Sequence, residues 1–212
     1  MVYMPVQKRR EQARETAFEL LQSGVPVADL TLRMIAERQG TPLPTLTYAY
    51  QSVTDLLDDL LLTVEGPIFD AIGDRGLAAE LNHFLEVSDA AADADPALEE
   101  LSAYAVRRTG ELGAEGFAAH RIAGTVEMIT AIREKSGERY RLSDETIGRQ
   151  FRLMYEGAYL HWIDGGGLSD TGERRNLDEW RSWIREGIDV IVLAADPKPA
   201  RGRSRRTTAT KG

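Results

Sequence analysis

The 212-residue chain contains no cysteine, which excludes disulfides, thiolate-ligated metals and thiol redox chemistry and fits a reducing, cytoplasmic setting. It also lacks any apolar run near the ~18 residues that a bilayer span requires, so no membrane segment is expected. MVYMPVQKRR carries a basic cluster with no apolar stretch behind it, unlike a secretory signal. Enzyme motifs are missing as well. There is no Gly-x-Ser-x-Gly elbow, and Gly165-Gly166-Gly167 has neither the strand, the lysine nor the spacing of a phosphate-binding loop, so it is expected to be a flexible connector. A carboxylate-bridged metal bundle needs two Glu-x-x-His pairs; Glu80 with His83 makes one, while Phe117 and Ala158 stand three residues before His120 and His161. An enzyme built as a metal-carrying helical bundle is therefore a remote alternative, and neither cofactor nor metal is expected.

What is present is 42% hydrophobic residues and a net charge of −8 distributed unevenly. The segment from Lys198 onward holds Lys198, Arg201, Arg203, Arg205, Arg206 and Lys211 with no acid, so the chain ahead of it is more acidic than the total. Residues 198–212 read as a basic, disordered tail able to add non-specific DNA affinity. A second basic cluster, Lys8, Arg9, Arg10 and Arg14, precedes the first strongly periodic segment. Lys8 to Arg10 can serve as an arm on DNA phosphates or as a solvated chain end.

Ala13, Thr16, Ala17, Leu20 and Leu21 recur at helical spacing, and Gly24 with Pro26 ends that helix. Thr31 is a good N-cap for a second helix whose buried face is Leu32, Ile35 and Ala36, stopped by Gly40. Pro42 and Pro44 are tolerated only in a first helical turn, so a third helix begins at Pro42 and runs to just before Ser52. On it Leu46 and Tyr50 face inward, and Leu43, Thr45, Thr47 and Tyr48 outward. Ser52 with Asp55 forms a capping box for a fourth helix through Leu56, Leu57, Leu60, Leu61 and Val64. Helix, glycine turn and helix in this order make a helix-turn-helix, and its charge-bearing surroundings suggest double-stranded DNA as partner.

The order threonine, Ile-Ala, glycine, Thr-Leu, aromatics, serine and Leu-Leu resembles the N-terminal domain of TetR-type (tetracycline-repressor family) transcriptional regulators over roughly Lys8 to Leu61. The resemblance implies an all-helical homodimer, a variable C-terminal domain that binds a small-molecule effector, and release of the operator when it does. It places Thr31, Arg33, Leu43, Thr45, Thr47 and Tyr48, with Lys8, Arg9 and Arg10, at the DNA. Three departures stand out: such proteins usually carry a tyrosine at the position of Thr47, a phenylalanine at Tyr50, and at Val53 a lysine that meets a DNA phosphate.

Beyond the fourth helix, which Gly66-Pro67 kinks or ends, strand signals are nearly absent, and the class is all-α with about nine helices. Leu77, Leu81, Phe84, Leu85 and Ser88 mark a fifth; Asp95-Pro96 starts a sixth through Leu98, Leu101 and Ala105, ended near Gly110 and Gly113. Ile122, Val126, Ile129 and Arg133 mark a seventh, ending near Gly137. The eighth is expected over Asp144 to Asp164 under a Ser143 cap, with Ile147, Phe151, Met154, Tyr155, Ala158, Tyr159 and Trp162 on one face and Leu153, Gly157 and Leu160 on another. The ninth, Leu177 to Ala195, pairs a Leu177, Trp180, Ile184, Ile188, Ile191 and Val192 face with a second one of Trp183, Val190 and Ala194. A helix apolar on two faces needs two partners. The second partner is either the same helices of a second subunit, with Leu153, Leu160, Trp183, Val190 and Ala194 at a dimer interface, or another part of one chain.

These readings divide the chain into an arm and DNA-binding domain over 1–52, a ligand-binding and dimerisation domain over 53–197, and the basic tail. Phe84, Tyr104, Phe117, His120, Tyr155, Tyr159 and Trp162 are candidates for the cavity wall, because ligand pockets combine aromatic surfaces with a few polar groups. The expected function is a ligand-responsive DNA-binding regulator, a repressor released by its effector. The alternative is a DNA-binding regulator controlled by a protein partner or by no ligand.

Overall fold

The computed structural model describes residues 5–111, 115–167 and 174–198, of which 67–70 by backbone alone. Gly113 and the tail beyond Lys198 lie outside the described residues. Nine α-helices account for nearly all regular structure among those residues: α1 (Val6–Gln22), α2 (Leu32–Gln39), α3 (Leu43–Thr47), α4 (Val53–Asp70), α5 (Leu77–Ala94), α6 (Pro96–Thr109), α7 (Glu115–Ser136), α8 (Asp144–Asp164) and α9 (Leu177–Ala195). The fold is all-α, and no helix among the described residues is long and apolar enough to cross a membrane.

Local signals set most helix starts. The Thr31 side chain accepts from the Met34 amide at 3.2 Å, and Gly40 closes α2 at φ 64°, ψ 29°, a left-handed conformation that glycine adopts without steric cost. Ser52 and Asp55 exchange two 3.0 Å hydrogen bonds, a complete capping box at the head of α4. Asp95 caps α6 through the Ala97 amide, and Ser143 caps α8 through Thr146.

The first three helices pack with α4 around a cluster that includes Ala13, Ala17, Leu21, Ile35, Leu46, Tyr50, Leu56 and Leu60. Two residues of α6, Ala97 and Leu101, complete it. The same helix touches the N-terminal unit through polar contacts: Glu100 Oε1 accepts from the Val27 amide at 2.7 Å, and Asp95 Oδ2 from Gln22 Nε2 at 2.5 Å. Tyr104 donates to Asp58 of α4 at 3.1 Å, and Arg108 lies 3.5 Å from the same carboxylate. So α6 is structurally part of both halves of the chain.

The body core gathers α5, α7, α8 and α9 around Phe84, Ile129, Phe151, Tyr159, Trp162, Trp180 and Ile188. α7 and α8 lie close: a Cβ on Gly148 would come within 2.9 Å of the Val126 Cα, so a side chain there would force the helices apart. A second core, Leu61, Ala105 and Phe117, sits where α4, α6 and α7 meet.

Four expectations need correction. α3 ends at Thr47 rather than just before Ser52, because Ala49 and Tyr50 are drawn into the N-terminal cluster and the chain must turn to place them there. Of the two outcomes expected at Gly66-Pro67, the ending does not occur, since α4 continues to Asp70; the one hydrogen bond proline removes is lost near the helix end, where it costs little continuity. The buried stripe of α7 is Phe117, Arg121, Thr125, Met128, Ile129 and Ile132, displaced from the expected one because Arg121 and Thr125 are buried by pairing rather than by apolarity. Finally, Gly165 to Gly167 form a hydrogen-bonded turn against Trp162, whose carbonyl receives the Gly167 amide at 2.9 Å, rather than a loose connector.

Candidate DNA-binding surface and internal cavity

The residues expected at DNA fall into two groups. Thr47 and Tyr48 are exposed at the end of α3, Tyr48 by 71%, and Thr45 and Leu43 are half-buried on the same short helix. α3 carries no charged side chain and presents only hydroxyls and apolar surface. The Thr47 hydroxyl donates to the Pro44 carbonyl at 3.1 Å, leaving it only acceptor capacity, whereas no described residue hydrogen-bonds the Tyr48 hydroxyl. Thr31 and Arg33 are exposed at the head of α2, although the Thr31 hydroxyl already accepts from Met34.

Lys8, Arg9 and Arg10 occupy the first turns of α1 and are helical, not an extended arm. Lys8 is exposed and Arg9 half-buried. Arg10 has an internal role: its Nε donates to the Ala49 carbonyl at 3.1 Å and its guanidinium lies 5.0 Å from the Tyr50 ring centre. The helix wins over an arm because Val6 to Gln22 is rich in helix formers and has no breaker.

The same region explains why a tyrosine stands at position 50. Its ring is buried and its hydroxyl donates to Asp59 of α4, which also receives Arg14 Nη1 at 2.7 Å. Burial and the neighbouring Asp59 carboxylate raise the Tyr50 hydroxyl above its ordinary range, and the tyrosine and Arg14 together overcome burial to lower Asp59. A phenylalanine would leave Asp59 with Arg14 alone. This three-residue link fastens the turn after α3 to α1 and α4, so the exposed Tyr48 projects from a rigid base.

A cavity of about 510 Å³ lies inside the body, walled by α4, α5, α6 and α8 and reached by Phe18 of α1, Arg121 of α7 and Trp180 of α9. Its surface is mostly apolar, interrupted by two charged clusters. In one, Glu99 accepts from the Tyr159 hydroxyl and lies 3.2 Å from Arg174 Nε, while Asp89 receives Arg174 Nη2 and Arg181 Nε, each at 2.7 Å. Burial pushes the Glu99 carboxyl up despite Tyr159 and Arg174. In the other, Arg121 Nη2 donates to Glu65 at 2.6 Å, and Arg121 and Arg152 both face Glu156, with Nη1 atoms 2.9 and 3.7 Å from its Oε1.

Of the residues expected to line such a cavity, Phe84, Tyr155 and Tyr159 do so. Tyr104 is instead turned to Asp58, Phe117 sits in the small core under the Arg121 guanidinium, and His120 is exposed on the outer side of α7. Trp162 is core, its indole nitrogen donating to the Arg175 carbonyl at 2.6 Å. Arg121, Arg152, Glu99, Asp89 and Arg174 were missed. The one signal that could have found the first two is their regular spacing within otherwise apolar stripes of α7 and α8.

On the far side of α8 and α9, Leu153 is 58% exposed, Leu160 37% and Val190 67%. Leu193, at 81%, extends this surface beyond what the sequence suggested. Ala194 is half-buried, and Trp183 packs partly on the core with its ring 5.2 Å from His161. Glu80, half of the single Glu-x-x-His pair, accepts from the Gly73 and Arg75 amides and from the Arg75 guanidinium, leaving no lone pair arranged for a metal.

No protein-family model and no curated protein matches the sequence. Solved structures match the fold. A TetR transcriptional regulator from Rhodococcus sp. RHA1 superposes with a TM-score of 0.65 at 17% identity, over 88% of this chain and 96% of that one. FadR of Thermus thermophilus, a TetR-family repressor solved in complex with lauroyl-CoA, superposes with a TM-score of 0.61 at 16% identity, over 91% and 98%. The chain therefore has the fold of TetR-type regulators over most of its length.

Proposed function

We propose that this protein is a homodimeric, ligand-responsive DNA-binding transcriptional regulator, a repressor that leaves its operator when a small molecule enters the body cavity. The observation that carries the reading is α6, which supplies Ala97 and Leu101 to the core of the helix-turn-helix unit and Leu98, Glu99, Leu101, Ser102 and Val106 to the cavity wall. A molecule that fills the cavity cannot move this helix without moving the contacts of Glu100 with Val27 and of Tyr104 with Asp58. The Thermus repressor, with lauroyl-CoA bound, is a precedent for ligand binding on this fold.

In the dimer, two α3 helices read two half-sites of a pseudo-palindrome in successive major grooves. Ligand favours a state in which their separation no longer matches the grooves, so effector and operator oppose each other through one equilibrium. At the DNA, Tyr48 donates its hydroxyl to a phosphate or base edge, Leu43 and Thr45 present apolar surface to a thymine methyl, and Lys8, Arg9 and Arg33 hold the backbone.

The test is selection of a binding site from random duplex DNA, followed by Tyr48→Ala. The variant is expected to lose about 10- to 100-fold in affinity for the selected site, two contacts being removed per dimer, with an unchanged circular dichroism spectrum and melting temperature. Failure to select any site, or equal affinity in the variant, would refute the DNA-binding role.

Val53 bears on the same surface. It is the first residue of α4, half-buried against the N-terminal cluster, and its side chain offers a phosphate no donor. Val53→Lys is expected to steepen the slope of log K against log salt by about one unit per protomer. An unchanged slope would show that this position does not approach the backbone of the DNA.

A further inference from the structure

Two neighbouring arginines, Arg121 and Arg152, line one side of the mostly apolar cavity, and between them they have more hydrogen-bond donors than the described residues satisfy. Arg152 is 3% exposed and Arg121 4%. Among the described residues Arg152 makes a single hydrogen bond, from Nε to the Thr125 hydroxyl at 2.9 Å; its Nη1 stands 3.7 Å from Glu156 Oε1, beyond hydrogen-bonding distance, and no described residue accepts from its Nη2. Arg121 donates to Glu65, but its Nε and Nη1 are buried without a hydrogen-bond partner, as is Glu156 Oε1, because the 2.9 Å approach of Nη1 to that oxygen is misdirected. Ser88 Oγ, also on the cavity wall, is buried and unpartnered. A guanidinium has five donors, and burying them unsatisfied is costly.

The second charged cluster shows the contrast. There the carboxylates of Asp89, Asp93 and Glu99 outnumber Arg174 and Arg181, so although Arg174 Nε is also buried without a hydrogen-bond partner, the cluster offers an incoming anion no net positive charge. Around Arg121 and Arg152 the surplus is of donors, and the two cations also repel. Burial, with Arg121 beside it, lowers the Arg152 guanidinium, and burial raises the Glu156 carboxyl, which weakens one of the two counter-charges, Glu65 and Glu156, that the arginines share. An acceptor with negative charge, arriving from the cavity, would satisfy the free N–H groups and relieve that repulsion.

We propose that the effector is an amphipathic anion, its apolar body lying against Phe84, Val87, Leu98 and Leu101 and its terminal oxyanion, a carboxylate, received by Arg152 with help from Arg121. This rests on the reading of the cavity as the effector site. A planar, two-oxygen acceptor suits the paired nitrogens of a guanidinium.

Two fluorescent probes share one apolar body and differ in charge: 8-anilinonaphthalene-1-sulfonate and neutral N-phenyl-1-naphthylamine. The full-length protein is expected to bind the sulfonate at least about tenfold more tightly than the neutral probe. Arg152→Gln is expected to erase that preference and leave the neutral probe within about twofold; Arg152→Lys, which keeps the charge, retains part of it and serves if the glutamine variant does not fold. In competition, 1-naphthoate should displace the probe at least about tenfold better than 1-naphthalenemethanol, and better than 1-naphthalenesulfonate if the acceptor is a carboxylate. Ala92→Trp, which fills the cavity, should weaken both probes. Equal affinity for the two probes, or a preference that survives Arg152→Gln, overturns the anion site. If both probes bind equally and Ala92→Trp abolishes both, the cavity remains a ligand site and only the anion inference falls. If Ala92→Trp affects neither probe, the cavity reading falls with it.

Discussion

Leu153→Glu combined with Val190→Glu is expected to convert the proposed dimer into monomers and to lower operator affinity by at least about 100-fold while each chain stays folded. The two positions are 58% and 67% exposed, on α8 and α9, and Leu160 and Leu193 lie on the same two helices. In one isolated chain these side chains meet water, so exchanging them for glutamate should change stability by no more than about 0.5 kcal/mol. In a four-helix interface the same exchange buries like charges against each other, which no apolar contact there can offset. The DNA effect follows from linkage: joining two half-site readers raises the affinity of the pair by about 10²- to 10⁴-fold over either alone. Sedimentation velocity gives the assembly state, and fluorescence anisotropy with a labelled operator gives the affinity. A variant that stays dimeric would place the interface elsewhere, and a monomer with undiminished affinity would remove dimerisation from the mechanism.

Glu80→Gln is expected to be the most destabilising conservative change in the body, costing about 3 kcal/mol and lowering the melting temperature by roughly 6–12 °C. The Glu80 carboxylate is fully buried and accepts four hydrogen bonds of 2.8 to 3.0 Å, two from backbone amides at the entry to α5 and two from the Arg75 guanidinium. Glutamine would turn an NH₂ group toward donors and leave two of them unmet. The Arg75 hydrogen bonds, with those of the Gly73 and Arg75 amides, outweigh burial and hold the carboxyl at about 2, below its ordinary 4.5. A group whose pKa is lower in the folded chain stabilises it fully above the unfolded value and loses that effect as it protonates. The stability gap between wild type and Glu80→Gln should therefore be constant above about pH 4.5 and shrink progressively toward pH 2. Urea melts of both proteins across this range measure it; a gap independent of pH would mean that the charge of Glu80 contributes nothing.

Legibility in the sequence followed the range of the interactions involved. Caps act over three residues, and Thr31, Ser52 with Asp55, Asp95 and Ser143 are found where local chemistry places them. Long apolar stripes are almost as direct: the main faces of α8 and α9 are the ones that enter the core. The end of α3 was not legible, because it depends on the pull of Tyr50 toward Asp59, nine residues on in another helix. Nor was the face of α7, where Arg121 and Thr125 are buried through partners on α4 and α8 that periodicity does not reveal. The cavity suffered most from this. Aromatic residues suggested Phe84, Tyr155 and Tyr159, yet its charged lining comes from residues that in a linear reading look like solvated surface.

The double membership of α6 also sets where this protein can change over evolutionary time. Leu101 is at once a core residue of the helix-turn-helix unit and part of the cavity wall, so under the proposed function a substitution that retunes effector choice there perturbs the operator reader in the same step. Leu98 and Ser102 touch the cavity without entering that core, which leaves them free to drift. A lineage acquiring a new inducer while keeping its operator is expected to carry its substitutions at positions of this second kind.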